Sequence, residues 1–322
     1  MNEPGHIGGP VGPVFVAGPG RSGKTLVSLM LSSLPRITVT RRTEMWPRFY
    51  GPFGDLGRPA NFERCLRAML GRAQIASLAP DPDRIRHEFR RGATTYARLF
   101  ALIHEHFAER VGKPRWGDQT GLIERFADEL MSAYHGAKVI HMIRDPRDRH
   151  EALLERAPRR AGAAGTSTSV WLYSVALGRR NVRRYPGSYL FVRYETLVTR
   201  PAETMRGVCT FLGEEFDPAI VRMQNVPRYR LTAGDECPIS AAYVGRYREK
   251  ITACDLAFIQ TVAARHMRAF GYAPDPARIT PSEGVRCAAV GWPISLARMS
   301  SWRVVEALNR HPANPIRSLE AR

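Results

Sequence analysis

The sequence predicts an α/β fold of three layers, a central and mostly parallel sheet flanked by helices. Three observations carry that expectation. Short β-rich runs alternate with helical patterns along the chain. The first run, Val14–Ala17, feeds a glycine-rich turn that opens into a helical pattern. And 322 residues with 44% hydrophobic content, without an internal repeat, suit one large core.

Taken in order, Val14–Ala17, Ile37–Thr40, Lys138–Ile143 and Tyr189–Val192 read as strands, each bounded by turns or charge. Helices are expected over 23–33, 60–72, 93–110, 121–134, 146–155, 168–184, 200–212 and 253–270. Asp118 falls at a further strand end, and Asp145-Pro146 caps and starts the helix after Lys138–Ile143. The Gly-, Ala- and Arg-rich stretch 156–167 reads as a mobile basic loop. Residues 1–12 form a flexible N-terminus, 13–273 one domain and 274–322 a basic extension. Within that extension Trp292–Arg310 is a basic amphipathic segment that packs on the core, pairs with another subunit or touches a membrane surface, the first being preferred.

Composition narrows the classes. No stretch approaches the roughly 20 apolar residues a membrane span needs, and residues 1–13 lack the apolar centre of a signal peptide, so a cytoplasmic protein is expected. Cys65, Cys209, Cys237, Cys254 and Cys287 are scattered and odd in number, which speaks for reduced, structural thiols rather than zinc or disulfides. The net charge of +18 is dispersed and mostly arginine, so an anionic cofactor or acceptor is preferred to nucleic acid.

Chemistry concentrates in two places. Gly18–Thr25 lets successive backbone N–H groups converge on one anion at a helix N-terminus, and it also fits G-x-x-x-x-G-K-[ST] in full. Lys138–Asp148 is an apolar strand ending in charge at the sheet edge where α/β proteins bind ligands. Two readings stand at this point. One is a kinase using ATP and magnesium, with Lys24, Thr25 and Asp145. The other is transfer of a different group from a phosphate-bearing donor, with Arg144 as a phosphate ligand.

The ordered set Gly-Pro-Gly-Arg-Ser-Gly-x-Thr (18–25), Arg-Trp-Gly-Asp-x-Thr (115–120), Ile-Arg-Asp-Pro-Arg-Asp (143–148), Val-Arg-Tyr-Glu-Thr-Leu (192–197), Phe-Leu-Gly (211–213) and Gly-Arg-Tyr-Arg (245–248) resembles the sulfotransferases that use 3′-phosphoadenosine 5′-phosphosulfate (PAPS). Bacterial members related to tyrosyl-protein and glycan sulfotransferases are the most similar. The resemblance implies a fold related to the nucleotide kinases, with Gly20, Arg21, Ser22, Gly23, Lys24 and Thr25 on the 5′-phosphosulfate. It places Arg144 on the 3′-phosphate, Tyr194 near the adenine, and Gly245, Arg246 and Arg248 in a loop over the nucleotide. Arg21 and Lys24 would stabilise transferring and leaving charge. Glu44, in Thr40-Arg-Arg-Thr-Glu-Met-Trp46, is the candidate base, with Asp118 as runner-up. Arg41, Arg42, Trp46, Phe49 and Tyr50 would line the acceptor, a hydroxyl or less readily an amine of a small molecule, glycan, lipid or natural product.

Three departures weaken the match: Lys24 replaces the usual threonine or serine, Ala152 replaces the serine that helps hold the 3′-phosphate, and Gln119 stands where the family often has a lysine. Arg147, Arg149, His150 or the Arg246/Arg248 pair could supply the missing donor. No metal is required, and a homodimer is allowed. Plain structural readings compete throughout. Glu44 pairs with Arg41 or Arg42; Tyr194, His141, Trp171 and Tyr173 are core; His104 and His106 point to different helix faces; Arg156–Arg160 is a solvated loop. A non-catalytic nucleotide-binding protein is the third functional reading.

Overall fold

The computed structural model describes residues 11–156, 160–222 and 239–309. Expectations for residues 1–10, for 157–159 of the basic loop, for Cys237 and for Arg310 lie outside them. Five strands form one all-parallel sheet: β1 (Val14–Ala17), β2 (Ile37–Arg41), β3 (Arg115–Gln119), β4 (Lys138–Ile143) and β5 (Tyr189–Arg193), in the order β2-β3-β1-β4-β5. β1 lies at the centre, with Phe15 opposite Asp118 on one side and Val139 on the other.

Period-2 alternation builds two cores from the same strands. Phe15 and Val139 turn to one face, where they join Trp46, Phe100, Trp116 and Tyr134. Val14, Val16, Ile140 and Met142 turn to the other, under Val27 and Met30 of the helix Lys24–Ser33. Both faces of the sheet are therefore covered, as a parallel sheet requires.

The helices Pro59–Leu70, Tyr96–Arg110, Pro146–Leu154, Pro201–Leu212 and Ala253–Ala269 agree with the sequence reading to within a turn. Other elements differ from the sequence reading. β3 was visible only as a strand end, because Arg115-Trp-Gly-Asp-Gln119 is too polar to announce a central strand. Its charges are satisfied by distant partners: Arg115 donates to the carbonyls of Gly12 (2.8 Å) and Leu212 (2.8 Å) and pairs with Glu214 at 3.0 Å. Short helices Met45–Phe49 and Pro82–Arg90 were not anticipated. The helix expected from 168 begins at Ala163, taking in residues 163–167 of the expected loop. Small residues there answer to packing rather than to mobility. A Cβ on Gly165 would fall 1.8 Å from the carbonyl oxygen of Ser295, in the helix Trp292–Asn309, which lies directly against it.

Candidate functional site

Four loops at the carboxyl ends of the strands build the site. At β1 the chain turns so sharply that a Cβ on Gly18, at φ 113°, would stand 2.2 Å from the Met142 carbonyl oxygen, a place only glycine can occupy. Nothing lies within 4 Å of where a Gly20 side chain would be, so the mouth of the loop is open there. The first intrahelical bond of Lys24–Ser33 runs from Val27 N–H to Gly23 O, 3.2 Å. The amides before it have no helical partner, and no acidic side chain occupies the first turn. That is an anion cradle.

Two cations serve the cradle. Lys24 is buried, donates to the Gly18 carbonyl, and has its pKa lowered to about 8 by burial; Glu124 opposes that fall and Arg149 adds to it. Arg21, held at φ 68°, donates from Nε to the Ala152 carbonyl at 3.2 Å. In the opposite direction Arg149 Nε donates to the Gly20 carbonyl at 2.8 Å. These crossed arginines staple the loop to the helix Pro146–Leu154. Ser22 is buried and donates to the Pro19 carbonyl, while Thr25 is half-buried one residue past Lys24.

Glu124 was not foreseen. Its carboxylate accepts the Gly18 N–H at 3.2 Å and the Ser174 hydroxyl, and Ser174 in turn lies 3.1 Å from His141 Nε2. His141 reaches the Tyr189 hydroxyl at 2.6 Å, and burial drops its pKa to about 4, so it is a neutral core residue as its strand position suggested. The chain of polar contacts fixes the underside of the cradle. Its only sequence signal is an acid one turn past a strand end.

On the β4 side Arg144 lies with its guanidinium 4.6 Å above the Tyr194 ring, which also fills the space beside Gly23. One terminal nitrogen donates to the Tyr243 carbonyl at 2.7 Å, and its buried Nε has no protein partner. Asp145 is occupied: both its oxygens are taken by Arg147, at 2.9 and 2.7 Å. Asp148 accepts the amides of Gly245 (2.7 Å) and Tyr247 (3.0 Å), docking the 245–248 turn onto the same helix. Arg246 in that turn pairs with Glu155 and sits 3.6 Å from Glu151, and Arg248 pairs with Asp275 at 2.7 Å. Glu151 is 2% exposed with neither oxygen hydrogen-bonded; burial and the neighbouring Glu155 raise its pKa. Arg147 and Arg149 are thus engaged, and both ring nitrogens of buried His150 lack hydrogen-bond partners.

On the β2 side Glu44 caps the helix Met45–Phe49 at φ 53°, its amide donating to Thr120 Oγ1 at 3.3 Å. Its carboxylate pairs with Arg48 and, at 3.4 Å, with Arg72, neither being the arginine the sequence suggested. Asp118 is fully buried and accepts hydroxyls from Thr40 (2.9 Å), Thr43 (3.0 Å) and Thr120 (2.9 Å). Burial raises its pKa to about 6 against those bonds, and its place is that of a pin between the β2 and β3 ends. Arg42 is exposed at φ 57° and Arg41 half-buried beside it. Trp46 and Phe49 are buried, Trp46 edge-on to Phe100 at 5.3 Å, while Tyr50 is half-buried with a pKa raised by burial. Of the expected acceptor wall, Arg42, Arg41 and Tyr50 reach the surface. Four of the five non-glycine residues with positive φ among those described, Arg21, Arg42, Glu44 and Leu122, follow β1, β2 or β3 on this edge. Such backbone is sustained only where the surroundings over-determine it, and it marks functional loops.

A sequence model of the sulfotransferase family matches residues 13–218. No curated protein matches the chain. Among solved structures, the chain is similar to the sulfotransferase domain of the Synechococcus PCC 7002 olefin synthase, with 22% identity, a TM-score of 0.61, and coverage of 84% of this chain and 98% of that one. It is also similar to the sulfotransferase domain from the curacin biosynthetic pathway, with 16% identity, a TM-score of 0.53, and coverage of 88% and 97%. These likenesses establish a shared fold.

Proposed function

Since the chain belongs to the sulfotransferase family, we propose that it transfers a sulfuryl group from PAPS to a hydroxyl of a small molecule, glycan, lipid or natural product. One observation carries the reading. The strand order sets Glu44 after β2, the anion cradle after β1, and Arg144 with Tyr194 at the ends of β4 and β5, so proton acceptor, transfer point and nucleotide side follow one another along a single edge.

The residues fit such a donor on the 5′ side. Unpaired amides at the start of the helix Lys24–Ser33, with Lys24 and Arg21, suit a phosphosulfate. On the 3′ side the unpartnered Nε of Arg144 suits a phosphate, and the buried Tyr194 ring beneath it holds the guanidinium in place. Ala152 contributes only a carbonyl, already used by Arg21. Glu151 sets a buried carboxylate against that side, so 3′-phosphate affinity rests chiefly on Arg144.

When bound, PAPS supplies an electrophilic sulfur with a phosphate leaving group. Glu44 would take the proton from the acceptor oxygen as that oxygen bonds to sulfur, and the sulfur–oxygen bond to phosphate breaks. Lys24 and Arg21 would hold the charge that gathers on the leaving phosphate. Asp118, through Thr120 and the Glu44 amide, would fix the base rather than act as one.

The kinase reading needs Asp145 to hold magnesium, whereas Arg147 takes both of its oxygens. A calorimetric titration separates the two. Tight binding of adenosine 3′,5′-bisphosphate with indifference to magnesium is expected; magnesium-dependent ATP binding without response to the bisphosphate would overturn the proposal.

A further inference from the structure

The C-terminal helix Trp292–Asn309 is apolar on two sides. One side faces the body: Ser295 lies against Gly165, Met299 accepts from Ser169, Trp302 packs on Tyr173, and Glu306 pairs with Arg125 at 2.7 Å. At about 100° per residue, the opposite side carries Leu296, Ala297, Ser300, Val304 and Leu308, without a charge. Of the nine large hydrophobic side chains exposed among the described residues, six lie between Val285 and Leu308, a concentration that single surface leucines do not produce. Val285 is 70% exposed and Val304 59%.

Charge says what covers this face. Exposed Arg298 and Arg303 flank it, one on each side, with exposed Arg286 nearby. The two acids of the stretch are turned to other work, Glu283 in the capping box of the helix Pro281–Arg286 and Glu306 in the buried pair. A second copy laid antiparallel on this face would bring arginines of two chains together, and each chain already carries +18. An anionic bilayer reverses that penalty. Apolar side chains enter the headgroup boundary while the flanking guanidinium groups rise to the lipid phosphates.

We infer that the exposed face of the C-terminal helix lies on an anionic membrane surface, in the plane of the interface. No described helix is long and apolar enough to cross a membrane, so the contact is a surface one. The inference does not depend on the chemistry proposed above.

Flotation of the full chain with vesicles tests it. The chain is expected to float with mixed phosphatidylglycerol–phosphatidylcholine vesicles, to stay behind with phosphatidylcholine alone, and to be released by salt. Arg298→Ser with Arg303→Ser should lower partitioning roughly tenfold or more. Leu296→Asp with Val304→Asp should abolish it, and since both sites are exposed the melting midpoint should hold. An absence of binding to the anionic vesicles overturns the inference, as does equal binding by the aspartate variant. So does a chain that light scattering shows as a dimer and that the aspartate variant turns into a monomer, because the face is then an interface between copies.

Discussion

The two ends of the binding edge are built differently. Around β1 and β4 the polar groups are buried and cross-tied: Lys24 to the Gly18 carbonyl, Arg149 to Gly20, Arg21 to Ala152, and Glu124 beneath them all. Beside β2 the proposed base is 38% exposed and held by ion pairs to Arg48 and Arg72, which are themselves about one-third exposed. Buried charge-assisted bonds keep one geometry, whereas exposed pairs are screened and exchange partners readily. The proposed donor side is therefore part of the core, whereas the exposed charges beside β2, Glu44 and Arg42, can change at little cost to the fold. In the proposed reading, one edge combines a fixed donor site with an adjustable acceptor surface.

The sharpest way to break this contrast is Glu44→Gln. Turnover should fall by about 10²- to 10⁴-fold, the range for a lost general base, with bisphosphate affinity and melting midpoint unchanged. A variant of normal turnover removes Glu44 from the chemistry. Lys24→Ala should cost turnover about 10²- to 10³-fold, on the scale of a lost transition-state charge contact. Arg144→Ala should weaken bisphosphate binding by roughly tenfold to a hundredfold, the value of a charged hydrogen bond, while turnover at saturating donor changes little; calorimetry beside kcat decides it.

The pH profile sharpens the same point. The Lys24 pKa is lowered to about 8, so the ammonium is present below that value and lost above it. Activity at limiting donor should fall about tenfold per pH unit above the apparent pKa, and Lys24→Arg should move that limb upward. Stability runs the other way. Between about 8 and the unfolded value of 10.5 the unfolded chain binds the proton and the folded one does not, so this group adds stability as pH rises through that window. The smallest effect is expected at the 3′ side. Glu151→Gln should tighten the bisphosphate a few-fold without altering AMP binding, as removal of one screened charge predicts. Loosened binding would mean that Glu151 helps rather than opposes the phosphate.

What was legible in the sequence follows the same division. The cradle was readable because local backbone demands it: glycines at positive φ and a strand running straight into a helix leave a contiguous signature. The place of Arg144 at the end of β4 was readable from a strand that ends in charge. Glu124 was not, since its partners Gly18 and Ser174 lie 106 and 50 positions away. β3 hid for the same reason, its arginine being satisfied by Gly12 and Leu212 across the fold. Composition misled at 163–165, where glycine and alanine signal close helix contact, and Glu44 was given the wrong arginines because helical spacing from Glu44 to Arg48 outweighs adjacency in sequence.

The strand order has a kinetic consequence. With β3 set between the loop that carries Glu44 and the loop at the end of β1, the proposed acceptor and donor would reach the edge at different strand ends. Neither needs to arrive first or wait for the other to leave. Initial-rate and product-inhibition patterns should accordingly be those of random addition, with adenosine 3′,5′-bisphosphate competing against the donor alone.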